Sequence, residues 1–73
     1  MSLALNPLVQ GSYVHYKGRI WLVDYNSLLD AQGRASLVSL RDASQGIQAP
    51  PNDCTYATEA ETRAIEWFLA NRS

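Results

Sequence analysis

The first half of the chain carries the strongest strand pattern. Residues 13–16 are rich in aromatic and β-branched side chains, as is typical of a strand, and the Lys17-Gly18 pair that follows is typical of a tight turn. Bulky side chains then continue over residues 19–25. Because successive side chains of a strand point to opposite faces, this second segment presents apolar groups on both faces. We therefore predict a hairpin with one face filling a small core and the other covered by a helix, an arm or a partner.

Shorter strand patterns follow. Residues 26–33 contain Asn, Ser, Asp and Gly around two leucines and indicate a connecting loop or one helical turn. Residues 34–40 indicate a third strand, a polar turn occupies residues 42–46, and residues 47–49 indicate a fourth strand that ends at two prolines. Residues 52–56 can supply a turn and a brief fifth strand. The chain thus predicts four or five short strands.

The last segment predicts the one helix. Thr58 and Glu61 have the spacing of a capping box, so the helix should begin near Glu59 and end at about Asn71. Its apolar arc is wider than a minimal amphipathic helix requires, which predicts that the helix seals one flank of the strands. The arc contains Ala60, Ala64, Ile65, Trp67, Phe68 and Leu69.

Glycines, turns and strand residues occur in a recurrent order over residues 11–23, 33–40 and 46–50. This order resembles that of small SH3-like barrels of the KOW and Tudor type, over residues 11–57. The resemblance implies a mainly β fold, a small antiparallel SH3-like barrel of four or five strands with one C-terminal α-helix over residues 59–71.

The first ten residues predict an arm attached to a single domain over residues 11–73. Pro7 removes a backbone donor and suits an edge or a bend. Leu3 and Leu5 are among the apolar points of this arm. A short edge strand and a loose tail both remain open.

The resemblance implies binding without choosing the partner. Members of this broad group bind RNA, DNA, ribosomes, methylated peptides or other proteins. The plasmid-encoded dihydrofolate reductase, a short SH3-like enzyme, is similar in size and barrel pattern, and it uses a Val-Gln-Ile-Tyr segment around a pore formed by four subunits. The nearest stretch here, residues 47–50, reads Ile-Gln-Ala-Pro and lacks the Ile-Tyr pair. A small oligomeric enzyme with its site at a subunit interface is therefore only a third hypothesis.

Charge and cysteine content limit the expected partners and the expected cellular compartment. Six Lys and Arg against seven Asp and Glu give the 73 residues a formal charge of −1, so no global attraction to nucleic acid or an anionic membrane is expected. Cys54, the single cysteine, cannot form an internal disulfide and favours a reducing compartment. No export signal and no apolar stretch of about 18 residues is found. We predict a cytoplasmic protein without membrane contact.

Strand aromatics and neighbouring cations are the candidate binding groups. Outward rings of a barrel can stack on bases while Lys and Arg contact phosphates. Two or three of these rings, with Asp24, could instead enclose a methylated amine, which we rank below nucleic acid. Some of the rings are expected simply to pack in the core. The candidate binding residues are Tyr13, Tyr16, Lys17, Arg19, Trp21, Tyr25, Arg34, Arg41 and Trp67.

An excess of apolar surface predicts a protein partner. Trp67, the leucines of the arm and the two-sided strand over residues 19–25 give more apolar surface than so short a chain readily buries. A homodimer would bury it symmetrically, whereas an arm and a helix on opposite sides of the barrel would leave nothing exposed. Because near-neutral charge argues against strong phosphate binding, protein or self-association is the first hypothesis and nucleic-acid binding the second.

No motif supports catalysis. His15 and Cys54 are the only histidine and the only cysteine, which are too few for a zinc site. A nucleophilic pair would also need an orienting group and oxyanion donors. We predict no catalytic residue, no metal and no cofactor, and hence a non-enzymatic interaction module. Its compactness and lack of motifs would suit an accessory gene of a mobile genetic element.

Overall fold

A computed structural model describes residues 4–42 and 44–71 of the chain. Five strands are followed by one helix, α1 (Glu59–Ala70), and one turn of 3-10 helix (Pro51–Asp53) joins the last two strands. The predicted fold class, mainly β with a C-terminal helix, is confirmed. The strands are β1 (Tyr13–Tyr16), β2 (Arg19–Val23), β3 (Ala35–Ser39), β4 (Gly46–Ala49) and β5 (Thr55–Tyr56).

The strands form one antiparallel sheet in the order β4-β3-β2-β1-β5. Within the described residues, the edge strands β4 and β5 do not pair with each other, so the sheet is open and the barrel is not closed. Pro50 and Pro51 lie between these strands and offer no backbone donors. The arrangement is consistent with a small SH3-like fold.

The turn between β1 and β2 is the predicted Lys17-Gly18 pair. Both residues have positive φ, 50° at Lys17 and 77° at Gly18. Two central residues of positive φ are characteristic of the type I′ turn, whose twist matches that of a two-residue hairpin. Glycine adopts this conformation freely, whereas Lys17 is held in it by the hairpin.

The pairing register sorts the side chains into two faces. Val14 lies opposite Trp21, and Leu37 lies opposite both Val23 and Ile47, so these side chains share one face, which we call the core face. Five strand residues on this face, together with Leu8 and Leu29, are the buried side chains that form the core. The complete set is Leu8, Val14, Val23, Leu29, Ala35, Leu37 and Ala49.

The described part of the arm pairs with the loop between β2 and β3. A single bridge joins Leu5 to Leu28, and the amide of Asn6 donates to the carbonyl of Ser27 at 2.8 Å. Leu8 then enters the core. Residues 4–10 are therefore attached to this loop by one bridge and hydrogen bonds but form no strand, while residues 1–3, Leu3 among them, lie outside the described residues.

The predicted capping box starts α1. The Glu61 amide donates to the Thr58 hydroxyl at 3.1 Å, and the Thr58 amide donates to the Glu61 carboxylate at 2.9 Å. The Thr58 amide, followed by the contact of His15 with the same carboxylate, holds the pKa of Glu61 below its ordinary value. The helix begins at Glu59, as predicted.

Helix α1 contacts the side of the sheet opposite the core face. His15 lies on that side of β1, and its Nε2 is 2.9 Å from the Glu61 carboxylate. No residue of α1 is buried, and Ile65 and Leu69 are among its half-buried side chains. The helix therefore covers this flank only in part, since most of its residues are exposed and the polar His15 and Glu61 take part in the contact. No helix in the described part of the chain is long and apolar enough to cross a membrane.

Replacing Thr58 by alanine tests the cap. Thr58→Ala leaves the Glu61 amide without its side-chain acceptor, and we expect the free energy of unfolding to fall by about 1 kcal/mol. Thr58→Ser keeps the hydroxyl and should stay close to the native protein. Urea denaturation measures both variants, and an alanine variant as stable as the serine variant would contradict the role of the cap.

Candidate functional site

A cavity of about 270 Å³ lies where β2 begins and β3 ends. The pairing between β2 and β3 ends at this cavity, with Trp21 and Ser39 as the last pair. Beyond that pair the chains separate and leave an open cleft. The lining residues are Arg19, Ile20, Trp21, Ser39, Leu40 and Arg41.

Two arginines, Arg19 and Arg41, line this cleft. If the register of the Trp21 and Ser39 pair is continued by two positions past the end of the ladder, Arg19 is aligned with Arg41. Like charges at directly opposite positions of neighbouring strands destabilise a sheet. Among the ion pairs between described residues, none involves either guanidinium. The cleft is therefore a positively charged site that an anion would relieve.

Lys17 adds a third cation at the same end of the sheet. The type I′ turn places it directly before Gly18 and Arg19, and its ammonium lies 5.6 Å from the centroid of the Tyr16 ring. The indole Nε1 of Trp21 donates to the Tyr16 carbonyl at 3.3 Å, and both rings pack against the core. The positions of both rings are therefore fixed by the core, and the Tyr16 ring lies beside the Lys17 ammonium.

The other described cations are neutralised elsewhere. Arg34 precedes β3 and binds Asp30 at 3.1 Å, whereas Arg41 follows the same strand, roughly 20 Å away at about 3.3 Å per residue. Arg63 pairs with Glu59 on α1. Positive charge without an ion-pair partner is therefore concentrated at the cleft, and Asp42 is the acidic neighbour of Arg41 in the chain.

The predicted binding residues separate into groups. Tyr13 and Tyr25 lie at the other end of the hairpin, where the Tyr25 ring packs over Gly11 and burial, followed by Glu66, raises the pKa of Tyr13. The strand rings therefore do not form one cage, and the Asp24 carboxylate accepts from Ser36 instead. Of the predicted residues, Arg19, Trp21 and Arg41 line the cleft, and Tyr16 and Lys17 lie at the same end of the sheet without lining it. Tyr13, Tyr25, Arg34 and Trp67 lie away from it.

His15 and Cys54 are engaged separately. His15 contacts Glu61, while the Cys54 thiol lies 3.5 Å from the Pro50 carbonyl. Burial, and then the nearby Asp53, raises the pKa of Cys54, which disfavours the reactive thiolate. Within residues 4–42 and 44–71, no group of three or more His, Cys, Asp or Glu could hold a metal ion.

Sequence reasoning missed that Leu40 and Arg41 lie between two cavities. A second cleft of about 320 Å³ lies between the end of β3 and α1. The available signal was the position of Leu40 and Arg41 at the end of the third predicted strand. Nothing in that segment indicated that the helix would pack beside it. This second cleft is lined by Leu40, Arg41, Ala64, Ile65, Phe68 and Leu69.

Charge reversal tests the facing arginines. Arg41→Glu places opposite charges at facing positions, and we expect the free energy of unfolding to rise by about 0.2 to 1 kcal/mol at low salt. The gain should shrink as salt is added, since exposed charges are screened over about 10 Å at 0.1 M. Arg41→Gln, which only removes the repulsion, should gain less. Urea denaturation at two salt concentrations measures this, and a charge-reversed variant less stable than the glutamine variant would contradict the facing arrangement.

Comparison with known proteins gives no information on this site. No family model, no curated protein and no solved structure matches the chain. The candidate site is therefore argued from its own residues: three cations, two supporting rings and an open cleft.

Proposed function

We propose that the protein is a non-enzymatic binding module whose ligand is nucleic acid, held through its phosphates by Lys17, Arg19 and Arg41. The observation that carries this proposal is that Arg19 and Arg41 line one cleft and that neither forms an ion pair among the described residues. Arginine matches the geometry of a phosphate with two parallel donors, and a repelling pair binds an anion with a gain in stability.

The near-neutral charge of the chain does not oppose this proposal. The formal charge of −1 is a sum over groups that are unevenly placed. Arg34 and Arg63 form ion pairs with carboxylates, whereas no ion pair between described residues involves Arg19 or Arg41. A local field of this kind attracts an anionic ligand even when the total charge is small.

The cleft favours phosphate contact over stacking on the strand rings. Tyr16 and Trp21 are half-buried and pack against the core, and the Trp21 indole donates to the Tyr16 carbonyl. Their faces are therefore partly covered. Phosphate contacts carry little sequence information, so we propose binding without strong base preference at this cleft.

Oligonucleotide titration tests the proposal. Three phosphate contacts predict that log affinity for a single strand falls against log salt with a slope of about −2, and Arg19→Gln or Arg41→Gln should each reduce that slope by about 0.7. Fluorescence anisotropy of a labelled strand of about 12 nucleotides measures the slope.

The matched controls are Arg34→Gln and Arg63→Gln. Each removes one positive charge from the chain at a position outside the cleft. Both control variants should show the same slope of log affinity against log salt as the native protein. Absence of binding at low salt, or an equal effect of all four variants, would overturn the proposal.

A second candidate is association between two copies of the chain. Trp67 is 67% exposed and Phe68 is 59% exposed on a helix that has no buried residue. Two copies related by a twofold axis would cover the same rings on each helix. Sedimentation velocity over a range of concentrations measures this. A species that grows with concentration and reverts to monomer in Trp67→Gln supports the candidate, and a monomer throughout removes it.

The cellular location of the protein and its genetic context are proposed from the sequence alone. We propose the cytoplasm, where a single unpaired cysteine is maintained in reduced form. A role as an accessory gene of a mobile genetic element remains a prediction from compactness and the lack of motifs. No cofactor, metal or catalytic step enters the proposed function.

A further inference from the structure

The second cleft differs from the first in chemistry. One wall is the end of β3, with Leu40 and Arg41, and the other is α1, with Ile65 and Phe68 among its lining residues. Among the described residues, Arg41 is the only charged one that lines this cleft, and the remaining lining residues are apolar. Phe68 is 59% exposed, so much of its ring is open to solvent.

The two clefts are neighbours. Leu40 and Arg41 line both of them, so a ligand that binds Arg41 reaches the arginine pair on one side and the Phe68 ring on the other. The pair of clefts therefore offers an anion site next to an apolar site with an aromatic wall. A ligand suited to both carries negative charge and flat apolar groups in close alternation.

We infer that the cleft between β3 and α1 takes an unpaired base of a single-stranded nucleic acid, stacked on Phe68, while Arg41 holds an adjoining phosphate. This inference rests on the proposed function and deepens it by naming the form of the ligand. A cleft of about 320 Å³ is at the small end of ligand sites and suits one ring system. In a duplex the base faces are stacked on one another, so they do not reach such a cleft.

An acidic peptide fits these clefts less well. It would satisfy the arginines through carboxylates, but its charged side chains would leave the apolar wall of Ile65 and Phe68 without a partner. Every nucleotide, in contrast, joins a phosphate to a base with a π face, and stacking on an aromatic side chain tolerates any base. The neighbouring apolar and cationic clefts therefore favour the single strand.

The experiment replaces the ring and keeps the charge. Phe68→Leu retains an apolar side chain but loses the aromatic face, and the affinity for a labelled single strand should fall roughly 5- to 100-fold at fixed salt. The slope of log affinity against log salt should not change, because no cation is removed. An abasic strand of the same length should bind the native protein and Phe68→Leu equally.

Two variants serve as controls. Phe68→Tyr keeps the ring and should bind the single strand like the native protein, while Trp67→Leu loses a ring of the same helix that does not line the cleft and should leave affinity unchanged. Because Phe68 is exposed, both leucine variants are expected to fold, and far-UV circular dichroism checks this.

The outcomes separate the inference from the proposed function. If Phe68→Leu binds the single strand as tightly as the native protein, or loses as much affinity for the abasic strand, the base site is wrong while the arginine site stands. If a matched duplex binds as tightly as the single strand, the base site is likewise wrong. If a polyglutamate chain binds at the same ionic strength and no oligonucleotide does, both the inference and the proposed function fail.

Discussion

The pairing register between β2 and β3 is the constraint on which the other features depend. Because side chains alternate along a strand, placing Val23 opposite Leu37 puts both in the core and at the same time places Arg19 opposite Arg41 beyond the last pair. A shift of one residue would turn every side chain of the strand to the other face and remove the core. Burial of Val23 and Leu37 thus stabilises the only register that holds the two arginines together. Burial of apolar side chains in the core outweighs the unfavourable repulsion between the two arginines. A bound anion would reduce that repulsion.

The helix has a different relation to the sheet. Its start is fixed by the Thr58 and Glu61 capping box and by the contact between Glu61 and His15. Beyond that point most of its residues are exposed and only Thr62, Ile65 and Leu69 are half-buried, since the core is formed on the other face of the sheet. The partial contact leaves a cleft against the end of β3, next to the arginine pair. The same limited packing of the helix therefore provides an open apolar surface beside a cationic one.

Local patterns of the sequence predicted most of the fold. The tight turn at Lys17-Gly18 and the start of α1 at Glu59 depend on neighbouring residues, and both are confirmed. The candidate site depends instead on pairing between distant segments. Nothing in a single sequence distinguishes Arg41, which faces Arg19, from Arg34, which binds Asp30, because that difference arises from register and loop geometry. The open sheet and the incomplete cover by α1 were missed for the same reason, since both depend on how elements pack after they form.

Nuclear magnetic resonance of the backbone amides and the Trp21 indole, recorded with and without a single-stranded oligonucleotide at low salt, tests the central claim most directly. The account predicts that the Trp21 indole and the amides of residues 19–21 and 39–41 shift together as ligand is added, while those of Asp30 and Arg34 stay in place. Shifts confined to residues 30–34, or no shift at any amide, would contradict it.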